Sequence, residues 1–149
     1  MDNLTLRDAG PDDSEFAYRV KKAAFKENVE KVWGWNEEEQ RQLHKNRFEA
    51  QDFRIINLGG IDVGVLAMVI SPDCIKVNQL FLLPEYQSKG IGRSCMQLII
   101  DKALEMDLPI RLQVLKVNPR AQAFFLRLGF LTIGETNTHI LLERPSGKS

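Results

Sequence analysis

Gln87-Ser88-Lys89-Gly90-Ile91-Gly92-Arg93 places two glycines one residue apart between a lysine and an arginine, a combination suited to holding an anion. Glycine lacks the Cβ that would keep a phosphate from the backbone, and Lys89 and Arg93 add positive charge. The neighbouring segments decide what this loop can do. Leu80 to Leu83 is an apolar run that reads as a buried strand, and Pro84 ends it because proline has no N–H to give a sheet. From Ile91 to about Met106 apolar residues recur with helical spacing. Strand, glycine loop and helix start, in that order, leave backbone N–H groups open at the positive end of the helix dipole. The plain alternative is a tight strand-to-helix turn. A dinucleotide fingerprint would need a third glycine, and a nucleotide triphosphate loop would need Gly-Lys-Ser/Thr; neither is present. What remains fits a pyrophosphate.

A second cluster, Trp33-Gly34-Trp35-Asn36-Glu37-Glu38-Glu39, sets both tryptophans of the chain beside three carboxylates. On one reading the indoles are core and the acids form a solvated first helical turn, which the dipole favours. On the other, the cluster is a wall that attracts a cationic amine through cation–π contact and charge, with Trp35 and Glu38 as the substrate residues. No His/Cys cluster has metal-ligand spacing, so no metal is expected.

The elements that carry these residues can be read in order. Leu4 and Leu6 alternate with polar neighbours as a short strand. Pro11-Asp12-Asp13-Ser14 starts a helix that carries Phe16, Val20, Ala23 and Ala24 and runs to about Phe25. Asn36 caps a second helix that reaches about Phe48. Phe53 to Leu58 and Ile61 to Ile70 form a hairpin around Gly59-Gly60, and Ser71-Pro72-Asp73 turns into a third strand, Ile75 to Leu83. Asp107-Leu108-Pro109 ends the long helix, and Ile110 to Val117 follows as a strand. Strand, long helix, strand makes the two strands a parallel pair with a right-handed crossover. Asn118 then caps a helix with Pro119 at its first position. Ala121, Phe124, Phe125 and Leu128 form its apolar stripe, and Gly129 closes it. Phe130 to Ile133 and Thr138 to Glu143 make a final hairpin, and Pro145 to Ser149 is expected to fray.

A chain of 149 residues, 44% hydrophobic and 27% charged, is enough for one domain, 1–149, with its own core. A formal net charge of +0 gives no general attraction to nucleic acid or to an acidic membrane, so neither is expected as a partner. No apolar run is long enough to span a bilayer. Met1-Asp2-Asn3-Leu4 does not read as a secretory signal, and Cys74 and Cys95 read as reduced thiols; a cytoplasmic protein is expected.

Two segments together resemble a known family. Gln87-x-x-Gly90-x-Gly92, preceded by Leu80-x-Leu82-Leu83-Pro84 and followed by an amphipathic helix, resembles the acetyl-CoA signature of the Gcn5-related (GNAT) N-acetyltransferases. Asn118-x-x-Ala121-x-x-Phe124-Phe125-x-x-Leu128-Gly129-Phe130 resembles that family's Asn-x-x-Ala…Tyr-x-x-x-Gly-Phe segment, in the family's order and at its usual separation. The resemblance implies a mixed α/β GNAT fold: a central, mostly antiparallel twisted sheet with one splayed parallel strand pair, flanked by helices. It implies an acetyl-CoA site over about 80–93 and 118–125 and an acceptor side over about 25–50. In such a site Gln87, Ser88, Lys89, Gly90, Ile91, Gly92 and Arg93 hold the pyrophosphate. Backbone groups of Leu82 and Leu83 pair with the pantetheine arm, and an N–H near Leu82 aims at the carbonyl oxygen. Asn118 bonds the arm from the other side, in addition to capping its helix. The implied activity is acetyl-CoA-dependent transfer of an acetyl group to a primary amine by direct attack in a ternary complex. The acceptor would be a small-molecule or peptide amine, and homodimers are common in the family.

The proton steps need their own residues. A lysine-type amine, with a pKa near 10.4, is neutral in only roughly one molecule in a few thousand at pH 7, and an α-amine in roughly a tenth. Glu38, Glu85 and His139 are candidate bases; Glu85 lies beside the loop and reads as solvation, which leaves His139 and Glu38 as the catalytic candidates. Many family members carry a tyrosine that protonates the leaving thiolate, and here the matching residue is Phe125. A general acid contributes about 10²–10⁴-fold, yet a thiolate of pKa near 8.5 can leave without full assistance. Phe125 also motivates the alternative, a CoA- or acetyl-CoA-binding sensor or regulatory module with little turnover.

Overall fold

The computed structural model describes residues 3–147; the readings that rest on Met1 and Asp2, and the expected fraying of Lys148 and Ser149, lie outside these residues. The strands are β1 (Leu4–Asp8), β2 (Asp52–Leu58), β3 (Ile61–Ile70), β4 (Ile75–Leu82), β5 (Ile110–Leu115), β6 (Leu131–Glu135) and β7 (His139–Arg144). They form one seven-stranded sheet in the order β1-β2-β3-β4-β5-β7-β6. The helices are α1 (Ser14–Val32), α2 (Glu37–Ala50), α3 (Ile91–Met106) and α4 (Pro119–Arg127). Neighbouring strands run antiparallel except β4 and β5, which are parallel. That pair is in register only at Ile75↔Ile110 and Lys76↔Arg111, and beyond those positions the strands part. The mixed fold with one splayed parallel pair is as expected.

Local chemistry accounts for most element boundaries. Gly59 and Gly60 both take positive φ (60° and 92°), which a two-residue hairpin turn requires. The Asn36 side chain accepts from the Glu39 N–H at 2.9 Å and caps α2. Helix α1 runs past the expected end near Phe25 to Val32. Its apolar stripe thins there, but Val29 is buried and Lys26 pairs with Glu30 one turn on. The chain then turns at Gly34, with φ 78°. Toward the C-terminus Gly147 is exposed but lies beside Leu104 of α3, where an added Cβ would come within 2.9 Å.

Each face of the sheet carries a core. Ile75, Val77, Met96, Ile99 and Leu112 are among the residues buried under α3, whereas Ala17, Val20, Phe53, Ile55, Val65 and Ala67 pack on the α1 side. A bulge in β4 divides the strand between them. Val77 pairs with Met68 and Gln79 with Ala67, which leaves Asn78 as the extra residue. Before the bulge Ile75 and Val77 point to α3; after it Leu80 and Leu82 do, while Gln79 and Phe81 turn to the α1 face. No helix among the described residues is long and apolar enough to cross a membrane.

Candidate functional site

The glycine loop begins where β4 stops. The Gln87 Nε2 donates to the Leu82 carbonyl at 3.0 Å, folding the side chain back over the strand end. Ser88 (φ 61°) and Gly90 (φ 84°) both take left-handed backbone conformations. A Cβ added at Gly90 would meet nothing within 4 Å, so the glycine serves the backbone angle and not the space. The Ser94 N–H is bonded to the Gly90 carbonyl at 3.1 Å, so the N–H groups of Ile91, Gly92 and Arg93 precede the first turn's bonds and form the open helix start. A Cβ at Gly92 would lie 3.6 Å from the Phe124 ring, which shows how closely α4 approaches. Arg120 of α4 donates to the Ser88 hydroxyl and ties the loop to that helix. Lys89 and Arg93 are exposed, and Arg93 borders a cavity of about 280 Å³ with Phe124, Arg127 and Leu128. Arg120 lies outside the loop in sequence and reaches it from α4, and Arg127 of the same helix borders the cavity beside Arg93. The loop's donors and cations suit a diphosphate.

Asn118 stands at the end of β5, across the splay from Leu82. Its N–H donates to the Leu115 carbonyl at 2.9 Å, and its side-chain oxygen accepts from the Ala121 N–H at 3.2 Å, the helix-cap role. Phe125 is buried on the α3 side, edge-on to Phe124 (4.9 Å between ring centres) and Phe130 (5.4 Å). It has no proton to give.

The other face holds the remaining candidates. His139, the cross-strand partner of Leu115, has its Nδ1 2.7 Å from the Thr138 hydroxyl oxygen. Burial holds its pKa below the ordinary histidine value, so the ring is neutral at pH 7. The Thr138 hydroxyl can accept from Nδ1 or donate to it, and in the tautomer where Nδ1–H donates, Nε2 carries the lone pair. The ring lies 6.1 Å from that of Trp33, which is 60% exposed.

Trp35 and Glu38 sit elsewhere. The Trp35 Nε1–H donates to Glu37 at 2.8 Å, and its ring lies 6.4 Å from Tyr18. Glu37 also meets Lys22 at 2.9 Å, and its carboxyl is held down to about 2, first by the Trp35 hydrogen bond and then by Lys22. Glu38 is exposed on α2 and borders an open depression with Asn36, Glu39 and Gln42; Glu85 is exposed in the turn before the loop. The structure therefore brings His139 to Trp33, and the extension of α1 past Phe25 is what carries Trp33 there.

Beneath α1 and α2 lies a buried polar layer that the sequence did not announce. Lys21 is 3% exposed, with Nζ 3.2 Å from the Gln40 oxygen; burial, with Arg47 adding, pushes its pKa down to about 8. His44 Nε2 lies 2.9 Å from the Ser14 carbonyl oxygen, and burial lowers its pKa.

A sheet opened between two parallel strands, with an anion-binding helix start at its mouth, is the architecture of an acyltransferase that uses a CoA thioester. The family described as Acetyltransferase (GNAT) matches residues 17–130, and the chain belongs to that family. Among solved structures, an acetyltransferase from Thermus thermophilus is similar at 20% identity, covering 96% of this chain and 97% of that one, with a TM-score of 0.78. The PaiA N-acetyltransferase from Thermoplasma acidophilum, in complex with coenzyme A, gives 17% identity, 95% and 98% coverage and a TM-score of 0.76. The ribosomal-protein-S18-alanine N-acetyltransferase of Escherichia coli gives 18%, 98% and 96%, and 0.75. No curated protein matches the sequence. Membership of the family supports acetyl-CoA-dependent acetyl transfer as the general activity.

Proposed function

We propose that the protein is an N-acetyltransferase that moves an acetyl group from acetyl-CoA to a primary amine by direct attack in a ternary complex. The observation that carries this reading is the parting of β4 from β5 directly before the glycine loop, with His139 on the opposite face at the far strand. Acetyl-CoA supplies a thioester-activated acetyl group. The open N–H groups at the start of α3, with Lys89 and Arg93, bind the diphosphate. Gln87 bonds the Leu82 carbonyl and the Leu83 N–H bonds the Val63 carbonyl, which fixes the strand end and turns the Leu82 N–H toward the gap where the pantetheine arm would lie, with Asn118 across it. A backbone N–H near Leu82 polarises the acyl oxygen as the amine attacks; the C–S bond then breaks and CoA departs as a thiolate that takes its proton from water. His139 accepts the proton of the attacking amine at Nε2, directly or through one water, because it is neutral at pH 7. The Trp33 ring lies beside that of His139, 6.1 Å between centres. Glu38 and Trp35, on the same side of the sheet, form the outer approach for a cationic acceptor.

Release of free CoA, followed with a thiol reagent, tests the reading across a panel of amines and short peptides. Intersecting initial-velocity lines are expected; parallel lines would contradict direct attack in a ternary complex. Phe125 favours one competing reading, a CoA-binding sensor with little turnover. Amine-dependent CoA release counts against the sensor, and tight acetyl-CoA binding without any release counts for it.

A further inference from the structure

Gln79 is 5% exposed, yet neither its side-chain oxygen nor its side-chain nitrogen has a hydrogen-bond partner among the described residues. A buried amide left without partners is costly, and native proteins seldom keep one without a use for it. His44 Nδ1 and Gln51 Oε1 are also buried without partners, but they lie in α2 and just before β2. Gln79 lies on β4, past the last position paired with β5, where the sheet has opened. The bulge at Asn78 turns it out of the α3 core and onto the α1 face, with Ala67. Leu115 and His139, across the gap on β5 and β7, share that face, since their neighbours Val114 and Ile140 point to the α3 core.

We propose that Gln79 is a specificity-determining residue whose carboxamide pairs with an amide beside the acceptor nitrogen, so that the preferred acceptor is an α-amine of the peptide N-terminal kind. The inference rests on the transferase reading above. A carboxamide donates through Nε2 and accepts through Oε1, and a peptide group offers the complementary carbonyl and N–H. Such an acceptor satisfies both vacancies, whereas an alkylammonium can satisfy only the oxygen. Because Gln79 faces away from α3 and its loop, its effect falls on the acceptor and not on the diphosphate.

The test compares alanine amide with propylamine in the thiol-release assay, with rates expressed per neutral amine, for the wild type and for Gln79→Met, a near-isosteric change. Acetyl-CoA affinity and melting temperature are measured on both proteins. The wild type is expected to prefer alanine amide. Gln79→Met should lose about tenfold in kcat/KM on the amide and little on propylamine. Its acetyl-CoA affinity should be unchanged and its melting temperature equal or higher, because an unpaired buried amide has been replaced by an apolar group. Equal losses on both amines with a lower melting temperature would overturn the inference, since they mark an amide that serves the fold through buried water. Weaker acetyl-CoA binding would also overturn it, since the amide would then belong to the pantetheine arm. The wild-type comparison needs no variant, and a preference for propylamine overturns the inference by itself. Absence of CoA release from the wild type with either amine would instead remove the transferase reading, and this inference with it.

Discussion

The α3 face of the sheet buries Ile75, Val77, Met96 and Leu112 and places its chemistry in the backbone, at the start of a helix. The α1 face buries Lys21, His44 and Gln79, from α1, α2 and β4, beside Ala17, Val20 and Ala67, and its candidate chemistry lies in side chains. The difference reflects what each face has to recognise. A diphosphate is the same in every reaction that uses it, and backbone N–H groups with two glycines suffice to hold it. An acceptor has its own shape and polarity, which only side chains can match. Buried polar groups cost stability, so the α1 face should trade stability for specificity while the α3 face should not.

The largest expected effect is on the proton step. His139→Gln should lower kcat/KM by about 10²-fold and leave acetyl-CoA affinity unchanged. In the wild type the lowered pKa of His139 means that the acid limb of the pH–rate profile falls below the ordinary histidine value, and the variant should lack that limb. A variant that keeps the limb would remove His139 from the reaction.

Next is Gly64→Ala, which should damage both faces at once. A Cβ there would lie 2.4 Å from the Phe81 carbonyl oxygen and 2.7 Å from Leu82 Cδ2, so β3 must shift from β4 at the edge of the splay. A loss of about 1–3 kcal/mol is expected in denaturant unfolding, together with weaker acetyl-CoA binding.

Lys21→Met should act in the opposite direction and stabilise the fold by on the order of 1–2 kcal/mol at pH 7. The folded-state pKa of Lys21 is about 8, against 10.5 for an ordinary lysine. Between those values the unfolded chain holds more protons than the folded one, so wild-type stability from this group rises with pH across the window. The gap between variant and wild type should therefore narrow from pH 8 toward 10.5, as read by thermal melts. A destabilised variant would show that the Gln40 hydrogen bond outweighs the buried charge.

The smallest effect belongs to Phe125→Tyr. Its ring faces Phe124 and Phe130 in the core, so the added hydroxyl should change kcat by less than about tenfold and lower the melting point slightly. A larger gain in kcat would place this position at the leaving sulfur.

The same contrast explains what could be read in advance. The glycine loop, the caps at Asn36 and Asn118 and the parallel pair are local signals, in which a residue type meets a local backbone demand. Trp33 and Gln79 were not legible, for two different reasons. The apolar stripe of α1 fades at Phe25, so nothing nearby says that the helix continues and carries Trp33 to His139. Strict alternation from Ile75 and Val77 would send Gln79 into the α3 core, and only the bulge at Asn78, set by pairing with β3, reverses it. A glutamine in an apolar strand was the available hint. The residue types of Trp35 and Glu38 suit a cationic acceptor, but the hydrogen bond to Glu37 draws Trp35 toward Tyr18.

The most direct measurement is isothermal titration of acetyl-CoA into the wild type and into Gly90→Val. One saturable site is expected in the wild type. The variant should bind about tenfold more weakly or worse, because a β-branched residue resists φ 84° and the loop can no longer present its N–H groups. No heat of binding at millimolar acetyl-CoA, or equal affinity in the two proteins, would contradict it.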